Sequence, residues 1–320
     1  MPDPLNLLNL RIPALAAPMF LVSGTELVVA TCAAGLAASF PAANARTSDI
    51  LEQWLVDISQ RHNPKKDAPW GVNLNTHRLN SRLERDLLLT CIYQAPFVVT
   101  ALGAPAAVVE AIHAYGGLVL ADVTTTYHAR KAAASGADAL ILVCAGAGGH
   151  TGQLAPMAFI NEVREFWAGP LILAGAISTG QDIVSALTLG ADYAYLGSRF
   201  IACDESMAKH AYREMIVSSK ADDIICTSAF TGIPNNMLKP SIVKAGLDPN
   251  DIPPHEHSKL NFDDPHANTK AWRDIWSAGH GIGSIHSSLP ASALVTQLEK
   301  EFRDAAKRTA KRLNDYQNDY

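Results

Sequence analysis

Before residue 220 the chain repeats one pattern eight times: a short apolar run, then a stretch of helical character. The runs are ALAAPM (14–19), GLAAS (35–39), WGVNL (70–74), FVVTAL (97–102), GLVLADV (117–123), ADALILVC (137–144), PLILAGAI (170–177) and DYAYLGS (192–198). Helical candidates between them include TELVVATCAA, SDILEQWLVDISQ, APAAVVEAIHAY, TYHARKAAASG and TGQDIVSALTLG. Runs that are apolar throughout suit parallel strands covered on both faces. Eight such units predict an α/β fold, the TIM (β/α)8 barrel. The same alternation also permits a doubly wound open sheet. At 320 residues, 48% of them hydrophobic, the chain can bury a large core, and a barrel of this length forms one unit.

After the eighth run the pattern stops. Residues 220–290 cluster turn formers, as in FTGIPNNMLKPSI, DPNDIPPHEH and NFDDPHANTK, and predict a smaller loop-rich or partly helical insertion over the barrel mouth. The sequence thus divides into a barrel (1–219), a capping insertion (220–290) and a terminal helix (291–320) whose apolar spacing at Leu294, Leu298 and Phe302 docks it on the body.

Composition narrows the chemistry. A net charge of −5 without a long basic block argues against a nucleic-acid groove or an anionic membrane patch and favours a small-molecule substrate. Five scattered cysteines with no CxxC pair argue against a disulfide framework or a zinc knuckle. With no signal core and no apolar run long enough to span a bilayer, the expected location is cytoplasmic. No metal is expected: His255 and His257, two apart in a proline-rich loop, chelate only with further ligands, and none stands at helical spacing nearby. Trp272 and Trp276, four apart, read as a packed helical face.

The densest chemical signal is CAGAGGHTG (144–152), where Gly146, Gly148, Gly149 and Gly152 surround His150. So many glycines point to unusual torsions or a ligand close to the backbone. The stretch follows the sixth run, at the carboxyl end of a strand, where barrels place reacting groups. Thr151 stands where GxGxxG needs its third glycine and no GKS or GKT follows, so neither a dinucleotide fingerprint nor a phosphate loop is supported. Gly175 ends the seventh run, Ser178 and Gln181 form an SxxQ capping box at the next helix, and Gly197 and Ser198 end the eighth. Barrels hold a phosphate at these two ends, although ordinary strand-to-helix turns remain open.

APM (17–19), GVN (71–73), AGGHTG (147–152), AGAI (174–177), LGSRF (196–200), FTGIP (230–234) and WSAGHGIG (276–283) resemble, in order, the nitronate monooxygenase family, formerly 2-nitropropane dioxygenases. That family is built on a TIM barrel, depends on FMN, and includes related NAD(P)H:quinone reductases and flavin-dependent enoyl-acyl-carrier-protein reductases. The resemblance implies oxidation of alkyl nitronates by O2, with NAD(P)H-driven reduction of a quinone or enoyl thioester as the alternative, and it allows a homodimer. It implies that the isoalloxazine lies near Ala17, Pro18, Met19 and Asn73, that Gly149 and Gly152 border it, that the phosphate falls to Gly175, Gly197 and Ser198, and that His150 is catalytic. Asp122 stands where many relatives carry lysine, Gly146 where many carry Gln or Glu, and His280 where relatives usually have Gln, which would bring a second imidazole to the mouth. A flavin-free lyase or isomerase acting on a phosphorylated substrate, and a flavin-binding protein without turnover, are the competing classes.

Overall fold

The computed structural model describes residues 10–252 and 274–318, the side chains of 317 and 318 excepted. Eight parallel strands close into a barrel: β1 (Ala14–Ala16), β2 (Ala37–Pro41), β3 (Trp70–Asn75), β4 (Phe97–Ala101), β5 (Leu118–Val123), β6 (Ala139–Val143), β8 (Leu171–Ala174) and β9 (Tyr193–Leu196). The last strand pairs with the first, Ala14 beside Ala194 and Ala16 beside Leu196, so the sheet has no edge and the open-sheet alternative is excluded. Each barrel strand falls within, or within two residues of, one of the eight apolar runs. β7 is the two-residue strand Gly149–His150 and lies outside the barrel.

Alternation along the strands separates two cores. Leu15, Ala37, Phe97, Val99, Leu120, Ala139, Ile141, Ile172, Tyr193 and Tyr195 fill the barrel interior. Gly71 of β3 belongs to this inner set because a side chain there would run into the Phe97 ring. Outward residues such as Val72, Leu74, Leu140 and Leu173 pack under a ring of helices. These are α1 (Thr25–Ala33), α2 (Ser48–Arg61), α3 (Leu83–Ile92), α4 (Ala106–His113), α5 (Thr126–Ala134), α6 (Pro156–Arg164) and α7 (Gly180–Thr188). The C-terminal helix, Ala291–Asn318, buries Leu294, Val295 and Leu298 and lies along α7 and α1. Gly180 permits that close approach, and the Glu301 carboxylate accepts from its NH at 2.9 Å.

Beyond β9 the chain forms α8 (Ser198–Ile201), α9 (His210–Ser218), β10 (Ile224–Thr227), β11 (Asn235–Leu238) and α10 (Lys239–Lys244). The turn-rich segment therefore contains a β-hairpin that its composition did not announce. β10 and β11 pair antiparallel, and β11 also pairs with β7, placing Asn235 opposite His150 and Asn236 opposite Gly149. His255, His257 and Trp272 lie outside the described residues. Trp276 sits on extended backbone rather than a helix and stacks on Tyr212 with ring centroids 4.9 Å apart.

The capping box of α7 is shifted by one residue from the SxxQ reading. Thr179 is the N-cap and accepts from the Asp182 NH at 3.2 Å, while Asp182 Oδ2 accepts from the NH groups of Ser178 and Thr179, both at 2.9 Å. Asp at the third helical position wins because its charge also complements the helix N-terminus, which Gln181 cannot do. Asp182→Ala, which leaves two NH groups without their acceptor, is expected to cost about 1–2 kcal/mol, read as a lower urea midpoint at unchanged slope.

Candidate active site

A cavity of about 1060 Å³ opens at the carboxyl ends of the barrel strands. Ala17, Pro18 and Met19 follow β1 into its wall, Asn73 and Asp122 rise from the inner faces of β3 and β5, Gly175 follows β8, and Gly197 and Ser198 follow β9. Gly149, His150 and Gly152 complete the set from the loop after β6. All eleven residues singled out in the sequence thus border one space. His280 does not: its side chain is exposed outside the cavity lining, and only its backbone NH takes part, donating to Gly146 O at 3.0 Å.

The glycine loop is shaped by close backbone approach. A methyl group on Gly148 would stand 2.7 Å from Gly279 N, and one on Gly152 would overlap the Val143 carbonyl. Gly149 has φ +70°, a left-handed conformation, immediately before His150. Opposite, Gly279 donates its NH to Ser198 Oγ at 2.8 Å, so the segment carrying AGHG is pinned between the loops after β6 and β9. Asn236 locks the arrangement from β11: its Nδ2 donates to Ala147 O at 2.7 Å, and the Thr151 NH donates to Pro234 O at 3.0 Å.

This enclosure sets the state of His150. Burial pushes its imidazole down to about 4, so at neutral pH it is uncharged and offers one donor and one acceptor. Asp122 responds the opposite way, as an acid must: burial raises its carboxyl to about 7, and Oδ1 is buried with no hydrogen-bond partner among the described residues. Tyr195, beneath it in the barrel, is raised well above its ordinary value by burial and by the Asp122 charge, and stays a neutral phenol.

One further feature escaped the sequence reading. Asn44, just after β2, donates to the carbonyls of Met19 and Ser23 at 3.0 and 2.7 Å and accepts from Leu21 N at 2.8 Å, fixing the loop after β1. At the rim, His128 and Lys131 of α5 line the cavity with the exposed ring of Tyr127, which Lys131 Nζ approaches to 4.9 Å of the centroid. Across the opening Arg82 pairs with Asp86 at 3.2 Å, and Ser48 Oγ donates to the same carboxylate at 2.8 Å.

The N-terminus of α7 is closed to an external anion. Asp182 takes the NH groups of Ser178 and Thr179, Glu301 takes that of Gly180, and Gly146 O takes that of Ala176 at 3.2 Å. An anion after β8 and β9 is left to Gly175, Gly197 and Ser198.

Asn236→Leu keeps the volume and removes the donor to Ala147 O, which is expected to cost about 1–3 kcal/mol. With the loop loosened, water reaches His150, and its imidazole should titrate well above 4, toward the ordinary value of about 6.5, by NMR of the ring protons.

The sequence profile of the nitronate monooxygenase family matches residues 4–301. A nitronate monooxygenase of Paraburkholderia phytofirmans is 28% identical over 273 residues, 80% of this chain and 74% of that protein. An octahydro-indene-carboxyl-CoA dehydrogenase of Mycobacterium tuberculosis is 28% identical over 243 residues, 75% of this chain and 66% of that one. Among solved structures, a nitroalkane oxidase from Streptomyces ansochromogenes aligns with a TM-score of 0.82 at 25% identity, covering 96% of this chain and 99% of its own. FabK from Thermotoga maritima shares the fold, with a TM-score of 0.80 at 24% identity over 98% of both chains. Since the profile runs unbroken through the barrel, the glycine loop and the hairpin that covers it, the chain belongs to the nitronate monooxygenase family and is an oxidoreductase.

Proposed function

We propose that the chain binds FMN non-covalently and oxidises alkyl nitronates with O2 to a carbonyl compound and nitrite. The observation that carries this reading is His150: an uncharged, desolvated imidazole on the cavity wall, on a loop where Gly148 and Gly152 leave no room for a side chain. The cavity fits the cofactor. Its volume stands at the upper end of the roughly 300–1,000 Å³ common for ligand sites, which leaves room for a ring system and a small substrate together. Gly175 (φ +132°) brings bare backbone to the wall, and a Cβ there would press on Ala145 O at 3.2 Å. Gly175, Gly197 and Ser198 would hold the phosphate, with Ala17, Pro18, Met19 and Asn73 beside the ring and Gly149 and Gly152 at its border. Bound there, FMN supplies the electron chemistry, while the protein orients the substrate and excludes competing reactions.

His150 then works as an uncharged group. It can donate a hydrogen bond to a nitronate oxygen, or accept the α-proton of a neutral nitroalkane at its unprotonated ring nitrogen. A base titrating near 4 has little driving force to deprotonate a carbon acid at neutral pH, so its acidity favours the nitronate, which arrives already deprotonated. The hydrogen-bonding role needs no charge on the ring.

A second reading is favoured by the rim. Lys131, His128 and Tyr127 suit a long substrate whose phosphate-bearing handle rests outside the cavity, and the relative from M. tuberculosis is named for a CoA thioester. NAD(P)H-driven reduction of an enoyl thioester or quinone would use the same floor. Anaerobic addition of a nitronate and then NADPH, with flavin bleaching as the readout, separates the two.

The purified protein is expected to be yellow and to release FMN on denaturation; failure to take up added FMN would overturn the reading. Gly175→Val, which forces a β-branched residue into a left-handed torsion, should weaken FMN binding roughly tenfold or more, about 1.4 kcal/mol, measured by fluorescence on the refolded apoprotein.

His150→Asn should retain FMN, lose activity on a neutral nitroalkane about a hundredfold or more, and keep much more of its activity on the matching nitronate. The sign of the pH profile follows from the lowered basicity of the imidazole. Nitroalkane turnover requires the unprotonated imidazole, so in the wild type it is present above about 4 and falls as pH drops through that value. Equal losses on both substrates would make His150 a binding residue instead of a base.

A further inference from the structure

The top of the barrel interior is apolar or neutral except at one point. Below it stand Leu120 and Leu118 on the same face of β5, flanked by Val99 of β4 and Ile141 of β6. At that point Asp122 enters the cavity floor with Oδ1 buried and unpartnered among the described residues. Buried polar groups are almost always satisfied, so an orphan carboxyl oxygen facing a cavity marks a place where a ligand supplies the missing partner. Desolvation raises its pKa to about 7, so the carboxyl titrates near neutral pH.

The groups packed against it from the neighbouring strands are neutral. From β9, Tyr195 is a phenol held neutral by burial; β2, β4 and β6 contribute Ser39, Val99, Ala101, Ile141 and Val143, none of which titrates. Tyr212, from α9, is likewise pushed up by burial, and His150 is already neutral. His128, Lys131 and the Arg82–Asp86 pair border the same cavity at its rim.

We propose that Asp122 is a ligand-sensing acid for the ring system in this cavity: as a neutral carboxylic acid it donates a hydrogen bond to an electron-rich ring, and as a carboxylate it disfavours one. The proposal rests on the reading of the cavity as a flavin site and concerns only what Asp122 does there. A protonated carboxyl has an O–H to give, and that bond strengthens as negative charge accumulates on its acceptor. A carboxylate in the same dry floor has only lone pairs and a like charge to offer. The cavity therefore holds a reduced, electron-rich ring better than an oxidised one while Asp122 is protonated, and loses that preference as pH rises through about 7. Above that value, binding of the reduced ring draws one proton from solvent onto Asp122.

The test is equilibrium binding of oxidised and dithionite-reduced FMN to the apoprotein, between about pH 6 and about pH 8.5. In the wild type the affinity for reduced relative to oxidised FMN should fall about tenfold or more across that range. Asp122→Asn, which stays neutral and keeps an N–H donor, should remove most of that fall, and His128→Gln should leave it in place. Because both proteins meet the same free flavin, ionisation of FMN itself cancels in the comparison. An equal fall in the wild type and Asp122→Asn overturns the role of Asp122 while the flavin site stands; no binding of either flavin form to the wild type overturns the site and the role together. Should Asp122→Asn fail to fold, the reduced-minus-oxidised infrared spectrum of the wild-type holoprotein decides. A protonated-carboxyl band that grows on reduction at the higher pH and not at the lower is the expected result, and its absence at both overturns the proposal.

Discussion

The cavity depends on two backbones meeting with no side chains between them. Gly148 and Gly279 touch where any Cβ would collide, and the NH of His280 and the carbonyl of Gly146 join across the same seam. Because the contact is made by main chain, the loop after β6 cannot move outward without breaking with segment 277–281, and that segment is itself tied through Gly279 N to Ser198 Oγ beyond β9. The loops after β6 and β9 are thereby fastened into one wall by a segment that lies far beyond both in sequence. The conformational entropy that glycine forfeits on folding is the cost, offset by a rigid site.

Enclosure in turn decides the electrostatics. β11 covers the other side of the loop through its pairing with β7 and through Asn236, and the desolvated imidazole loses its charge. The same dryness raises Asp122. Both groups are thus biased toward their neutral forms by one cause, with desolvation lowering the pKa of a base and raising that of an acid. No ion pair between them is needed to explain either shift.

The barrel was legible in the sequence because its strands are buried on both faces and read as unbroken apolar runs, and because glycine marks where each late strand ends. Of the eleven residues proposed for the site, the glycines, Ser198 and His150 follow strands that the runs define, whereas Ala17, Pro18, Met19 and Asn73 came only with the family resemblance; the fold brings all eleven to one cavity. What escaped notice was short or indirect. β7 has two residues and β11 four, with Asn235 and Asn236 among them, and neither length carries a period. Asn44 acts through three backbone contacts to a loop some twenty residues earlier, which no local pattern encodes. The α7 cap was misplaced by one residue because SxxQ and TxxD overlap, and only the geometry of Asp182 distinguishes them. For His280 the motif marks a backbone contact, its NH donating to Gly146 O, and its exposed ring lies outside the cavity lining.

The arrangement of charge also constrains how an anion can be handled. At the rim Lys131 stands as a cation that raises the local concentration of an anion without holding it tightly, while Arg82 is already paired with Asp86. Inside, the described polar groups near the floor are uncharged or titrate near neutrality, so an anion that enters exchanges screened attraction for fixed dipoles: the backbone at Gly175 and Gly197, the Asn73 amide held to Val99 O at 3.1 Å, and the His150 ring. Dipoles that are already oriented need no reorganisation when charge shifts on a ligand, and in a dry site they act at nearly full strength. A full positive charge in the same position would bind the anion more strongly in its ground state and leave less to gain as that charge disperses during oxidation. The neutral interior is therefore better matched to a substrate that loses its negative charge than to one that must keep it.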